Sequence, residues 1–346
     1  MRQTLIFLVC SIALVAMVLM IGDKVPGIDP FDDHASDKAL DFEGYGERQI
    51  ALMKIHHGAL RGRPYDIGLF GNSRILSVGR QQLDTAACSV FNYALSGQSF
   101  RSSVHLLERL ARENLLPDLA IISVDNFELQ MSTSPVWTGW RQRLETLAAD
   151  LAATFGNTGT GLRGKVRVLW RYIWTEKIIF QRQFEFSYFR RAVLEALGLN
   201  TVPFAAAAAD RPGYRPDGSL YAPPPLSSTI AEMPRSTPQI INAVFRNDLE
   251  RLFRMARRTN LKLFLYESPL HPVSAAVFNQ APSPFAEANR QTLKQACDAF
   301  GVTCRATPAG IFRNAEGWGD VSHPPPDVLG QWLGTVSRSL LGRCGG

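Results

Sequence analysis

The sequence has no Cys-x-x-Cys, and its six histidines are not clustered. A structural zinc site is therefore not expected, and no metal or cofactor is called for. It has no basic run interleaved with aromatics. The formal charge of +6 is modest for 346 residues, and scattered arginines on helical stretches read as solvated surface rather than a nucleic-acid footprint. Attraction to an acidic polymer stays open. There is no internal repeat. What remains is an ordinary globular composition, 46% hydrophobic and 20% charged, long enough to bury a full core and carry an insertion.

Cysteine is scarce, with five in all: Cys10, Cys88, Cys297, Cys304 and Cys344. Cys10 lies in an apolar run. The other four permit three pairings in an oxidising compartment, or stand as reduced, buried thiols. Cys297 and Cys304 are the expected bridge.

Leu5 to Ile21 is an apolar run of 17 residues with Arg2 before it and Asp23-Lys24 after it. This is the short limit for a membrane-spanning helix; a signal peptide is the competing reading. Val18-Leu-Met-Ile21 before Gly22 lacks a small-x-small cleavage site, and Val9 before Cys10 does not suit a lipoprotein signal. One uncleaved transmembrane helix over residues 1–22 is expected. Arg2 keeps the short N-terminal side in the cytoplasm, so the rest faces the periplasm or the outside of a bacterial inner membrane.

Residues 23–45 read as a linker. Apolar runs at Ile67 to Phe70, Ser89 to Leu95, Leu119 to Val124, Leu261 to Tyr266 and Val302 to Arg305 alternate with helical patterns. Such alternation predicts an α/β fold with a parallel sheet flanked by helices. The pattern breaks after Leu129. A helical, Trp-, Phe- and Arg-rich stretch and an Ala-, Pro- and Ser-rich stretch follow. Residues 131–237 are read as a cap inserted between core halves at 46–130 and 238–346. Trp170 to Phe189 suits core packing better than a sugar platform. His56 and His57 are expected on a helix surface.

Chemistry points to one turn. Tyr65-Asp-Ile-Gly-Leu-Phe-Gly-Asn-Ser-Arg74 places Ser73 where a buried strand gives way to a helix, the edge at which open α/β sheets hold ligands. A serine hydroxyl needs a base. The one Asp-x-x-His of the chain is Asp320-Val-Ser-His323, just before the final helix. Alone, the first motif is a turn and the second a cap. Their order around Asn92-Tyr-Ala-Leu-Ser-Gly97 gives them weight.

Gly71-Asn-Ser-Arg74, Asn92 to Gly97 and Asp320-x-x-His323 together resemble conserved blocks of the SGNH (GDSL-like) hydrolases. With the N-terminal run, they look like the membrane-anchored branch that includes relatives of alginate O-acetylation and D-alanine transfer proteins. The resemblance covers roughly residues 40–130 and 260–345. It implies an SGNH-like, flavodoxin-like fold and a triad of Ser73, His323 and Asp320 as nucleophile, base and orienting acid. It implies oxyanion donors from the N–H groups of Ser73 and Gly97 and from an asparagine in a third block. That block departs: Ser123-Val-Asp-Asn126 puts Asp125 in the asparagine's place and Asn126 one residue late. A carboxylate there would repel an oxyanion.

Arg74 is expected either to bind an acidic substrate group or to pair with a carboxylate. His271, after a core strand, can line the pocket or serve the loop alone. Tyr214 and Asp217 can reach over the site. The resemblance implies O-acetyl transfer to, or removal from, an envelope or secreted polysaccharide. Implied partners are that polymer, a membrane O-acyltransferase and polysaccharide synthesis machinery. A non-catalytic polysaccharide-binding or assembly component, and an esterase for small or lipid esters, are the other readings.

Overall fold

The computed structural model describes residues 29–31, 39–40, 42, 47–85, 87–125, 127–128, 212–221, 242–281, 283–313, 316–320 and 322–344. Its centre is a run of apolar strands that are buried on both faces, as a helix-covered parallel sheet requires. β1 (Ile67–Phe70), β2 (Val90–Asn92) and β3 (Leu119–Val124) bury every residue. β6 (Lys262–Glu267) and β7 (Thr303–Ala306) follow later in the chain. The order β2-β1-β3-β6-β7 is parallel throughout. Chain order reverses between β1 and β3, and such a switch point opens a crevice at the C-terminal strand ends.

The flanking helices include α1 (Glu47–Arg61), α4 (Phe100–Arg112), α5 (Asn242–Thr259), α7 (Pro284–Phe300) and α9 (Pro326–Leu341). Short helices α2 (Ser73–Leu76) and α3 (Arg80–Leu83) follow β1, α6 (Pro272–Gln280) follows β6, and α8 (Ala309–Phe312) follows β7. α9 lies directly against α3. A side-chain carbon at Gly334 would collide with the carbonyl of Leu83, so that close approach needs the glycine.

Two bridges close the chain on itself. Cys297 and Cys304 join the end of α7 to β7 with Cα atoms 6.1 Å apart. Cys88 and Cys344 tie the chain three residues past α9 to the entry of β2, across a sequence separation of 256.

Two expectations are corrected. His57 is buried, not on the surface. It stacks on Phe91 and hydrogen-bonds Asp29 at 2.7 Å and the Tyr65 hydroxyl at 2.6 Å. The described part of the stretch read as a cap is the hairpin β4 (Gly213–Tyr214) and β5 (Leu220–Tyr221). It docks at the edge strand, where the Asn92 N–H donates to the Asp217 carbonyl at 2.8 Å.

The buried Lys54 holds this junction. Its ammonium donates to the carbonyls of Asn92, Ala94 and Gly218 at 2.7–2.8 Å. Tyr214 is correspondingly buried among Phe31, Phe42 and Lys54 and is not a substrate-binding residue of the serine site. Asp217 accepts from Ser219 and from the Arg80 N–H.

The remainder of 131–237 and the apolar run Leu5 to Ile21 lie outside the described residues. Among the described residues no helix is long and apolar enough to cross a membrane.

Candidate active site

Gly71 makes the nucleophile turn possible. Its φ of +144° is glycine territory, and a side-chain carbon there would sit 2.7 Å from Ser123 Cβ. Asn72 then caps α2, its side-chain oxygen accepting the Arg74 N–H at 3.1 Å. Ser73 is thereby the first helical residue, and its own N–H has no partner within that helix.

Asn92 fixes the far end of the turn. Its amide donates to the carbonyls of Ile75, Leu76 and Val78 at 2.8–3.0 Å, and its oxygen accepts the Ala94 N–H at 2.8 Å. The motif that looked like a second block thus clamps the helix that carries the serine.

The distant Asp-x-x-His loop meets this turn. His323 Nε2 lies 2.8 Å from Ser73 Oγ, and His323 Nδ1 lies 2.7 Å from Asp320 Oδ2. The second carboxylate oxygen of Asp320 accepts the N–H groups of Ser322 at 2.6 Å and His323 at 3.0 Å, and the Ser322 hydroxyl at 2.9 Å. The hydrogen bond from His323, joined by those from Ser322, holds the Asp320 carboxyl well below the usual carboxylate range. Asp320 is therefore an anion that orients the ring, with its proton on Nδ1 and Nε2 left to accept from serine. The triad is open to solvent: the His323 side chain is 39% exposed and that of Asp320 49%.

The other expected site residues separate. Leu95 N–H donates to the Gly71 carbonyl at 3.2 Å, so the segment after β2 runs beside the nucleophile turn. Gly97, exposed and at φ +66°, lies two residues further on. Asn126 is outside the described residues.

Asp125 does not stand free toward an oxyanion. Its Oδ1 accepts from Arg74 Nη1 at 2.9 Å and from the Asn72 amide. Arg74 is thus a partner for a buried carboxylate, the second of its two expected roles. Burial pushes the Asp125 carboxyl up to about 6 against the opposing pull of Arg74 and Asn72. His271 caps α6 through the Val273 N–H at 3.3 Å and packs edge-on against Trp318, two residues before Asp320. It belongs to the wall beside the acid loop, not to the triad.

The Ser322 donor, the capping and Asp125-binding roles of Asn72, and Lys54 were not assigned from the sequence. Ser322 and Asn72 sit inside motifs already singled out, and their short polar side chains were the available signal. Nothing local marks Lys54, whose partners lie 38 to 164 residues away.

No family model matches this chain, and no curated protein does. One solved structure, provisionally described as a GDSL-like lipase of Parabacteroides merdae, is similar at 13% identity and a TM-score of 0.35, over 81% of this chain and 97% of its own. Likeness at that level carries no functional weight, so the chemistry of the site rests on its own geometry.

Proposed function

We propose that the chain is a serine esterase or O-acyltransferase working through an acyl-Ser73 intermediate. The observation that carries this is the continuous Ser73–His323–Asp320 relay, 2.8 Å and then 2.7 Å, assembled from segments 250 residues apart.

Each group has a definite task. His323 Nε2 takes the hydroxyl proton as Ser73 Oγ attacks the ester carbonyl carbon. The resulting oxyanion lies near the Ser73 N–H, with Gly97 as the second donor. Collapse breaks the bond to the leaving oxygen, which takes the proton from His323. A water or a sugar hydroxyl then gives its proton to His323 and attacks the acyl carbon; the bond from that carbon to Ser73 Oγ breaks, and Oγ takes the proton back from His323. Water gives hydrolysis, and a hydroxyl gives transfer. The ionised Asp320 stabilises the imidazolium in both halves.

The open, solvent-reached triad suits a bulky substrate better than a sealed acyl tunnel. The substrate we favour is an O-acetylated cell-envelope or secreted polysaccharide, handled outside the cytoplasmic membrane alongside a membrane acyl donor. The experiment is turnover of p-nitrophenyl acetate by the full chain and by Ser73→Ala. Loss on the order of a million-fold is expected on removing the nucleophile. A wild-type chain that neither cleaves nor transfers acetyl groups, yet binds polymer, would replace this reading with that of a non-catalytic binding component.

A further inference from the structure

A cavity of about 570 Å³ opens at the C-terminal ends of β6 and β7, on the sheet edge that carries Ser73. Its size is that of a small-molecule site. None of the triad residues lines it, but two of its lining residues belong to segments that run on to the triad. Glu128 in its lining is three residues past Asp125, which holds Asn72 and Arg74 on either side of Ser73. Phe312 in its lining packs on Trp318, two residues before Asp320, with ring centroids 6.1 Å apart.

The lining is two-faced. Leu270, Phe278 and Ala275 form a small apolar cluster of their own, apart from the main core. Glu267, Arg290 and Glu128 supply the polar part. Arg290 grips Glu267 with two hydrogen bonds of 2.9 Å and reaches Glu128 at 3.5 Å. An alkyl chain laid in this cavity would strip water from that ion pair and return no hydrogen bond, which is costly. A sugar ring presents a C–H face to the apolar cluster and hydroxyls to the carboxylate and guanidinium groups, so both surfaces are satisfied.

We infer that this cavity is the subsite for one glycosyl unit of the substrate, beside the ester that Ser73 attacks. The inference rests on the acyl-serine reading for its role, while its binding test does not depend on turnover. It also disfavours a lipid ester, because the cavity rejects an acyl chain.

The test uses the full chain carrying Ser73→Ala, which cannot consume the probe. Titration calorimetry measures binding of short, partly O-acetylated oligosaccharides, one neutral and one uronate-containing, and of octanoate as the acyl-chain probe. Ala276→Trp and Asn279→Trp, both at exposed positions of α6 that line the cavity, fill it from its rim without disturbing the core. Oligosaccharide binding should weaken at least tenfold in each, at an unchanged melting temperature. Unchanged affinity in both variants, no binding by either oligosaccharide, or octanoate binding that the tryptophans abolish would overturn the inference. If the wild type turns over no acetyl ester but the tryptophans still weaken oligosaccharide binding, the subsite stands and the enzyme reading falls.

Discussion

Asp125→Asn separates two forces at the buried end of the nucleophile turn. Asp125 is only 6% exposed, and its pair with Arg74 is correspondingly dry. Burial raises its carboxyl from the ordinary 3.8 to about 6, so desolvation outweighs the attraction of the pair. Between those two values the native state holds a proton that the unfolded chain has released. Stability therefore falls as pH rises through that window and levels off above it. The size is about 1.4 kcal/mol per pH unit, or about 3 kcal/mol across the window. Asparagine keeps an oxygen to accept from Arg74 and Asn72 but cannot ionise. The assay is denaturant unfolding of wild type and variant, side by side, from pH 4 to pH 7. The wild type should lose about 2.5 kcal/mol relative to the variant over that range. A flat difference, or one that grows in favour of wild type, would mean that the Arg74 pair outweighs burial. Because Asp125 Oδ1 is already engaged, the same change should not bring the hundred-fold gain expected from restoring an oxyanion donor.

Other consequences are as direct. Lys54→Met leaves the carbonyls of Asn92, Ala94 and Gly218 without their donor; a loss of roughly 3 kcal/mol in unfolding free energy is expected, with the hairpin at 213–221 losing protection from hydrogen exchange. Replacing Cys88 and Cys344 by serine opens a closure of 256 residues and should cost about 5 kcal/mol, against about 2 kcal/mol for the separation of 7 between Cys297 and Cys304; non-reducing peptide mapping and denaturant curves read both. Ser322→Ala removes one hydroxyl donor from Asp320 but keeps the backbone donor at 2.6 Å; kcat on p-nitrophenyl acetate should fall about tenfold, as one charge-assisted bond predicts.

The sheet was legible because its strands are apolar runs of the right length, and both ends of Leu119–Val124 were visible. The serine turn was legible because Gly71 and Asn72 break the run where the helix begins. Helix α6 was not: Ser268-Pro-Leu-His271 reads as loop, and its helix starts at Pro272 behind a histidine cap rather than a Ser or Asp signal. The hairpin at 213–221 was hidden because two-residue strands carry no period and are held by a lysine far away in sequence. His57 misled because adjacent histidines look solvated, while its burial is set by Asp29 and Tyr65 on other segments. The approach of Asp320 and His323 to Ser73 was legible only through motif order, since no local pattern shows which loops share a sheet edge. The pairing of Arg74 with Asp125 was one of two open readings, and only the register of β1 beside β3 decides it.

Every step of the proposed chemistry requires Ser73 as the nucleophile. The most direct measurement is intact-protein and peptide mass spectrometry after treatment with a serine-directed fluorophosphonate. The mass of one adduct should appear on the peptide that contains Ser73, and His323→Ala should slow its formation by at least a hundred-fold. No adduct, or an adduct on another serine that persists in Ser73→Ala, would contradict the account.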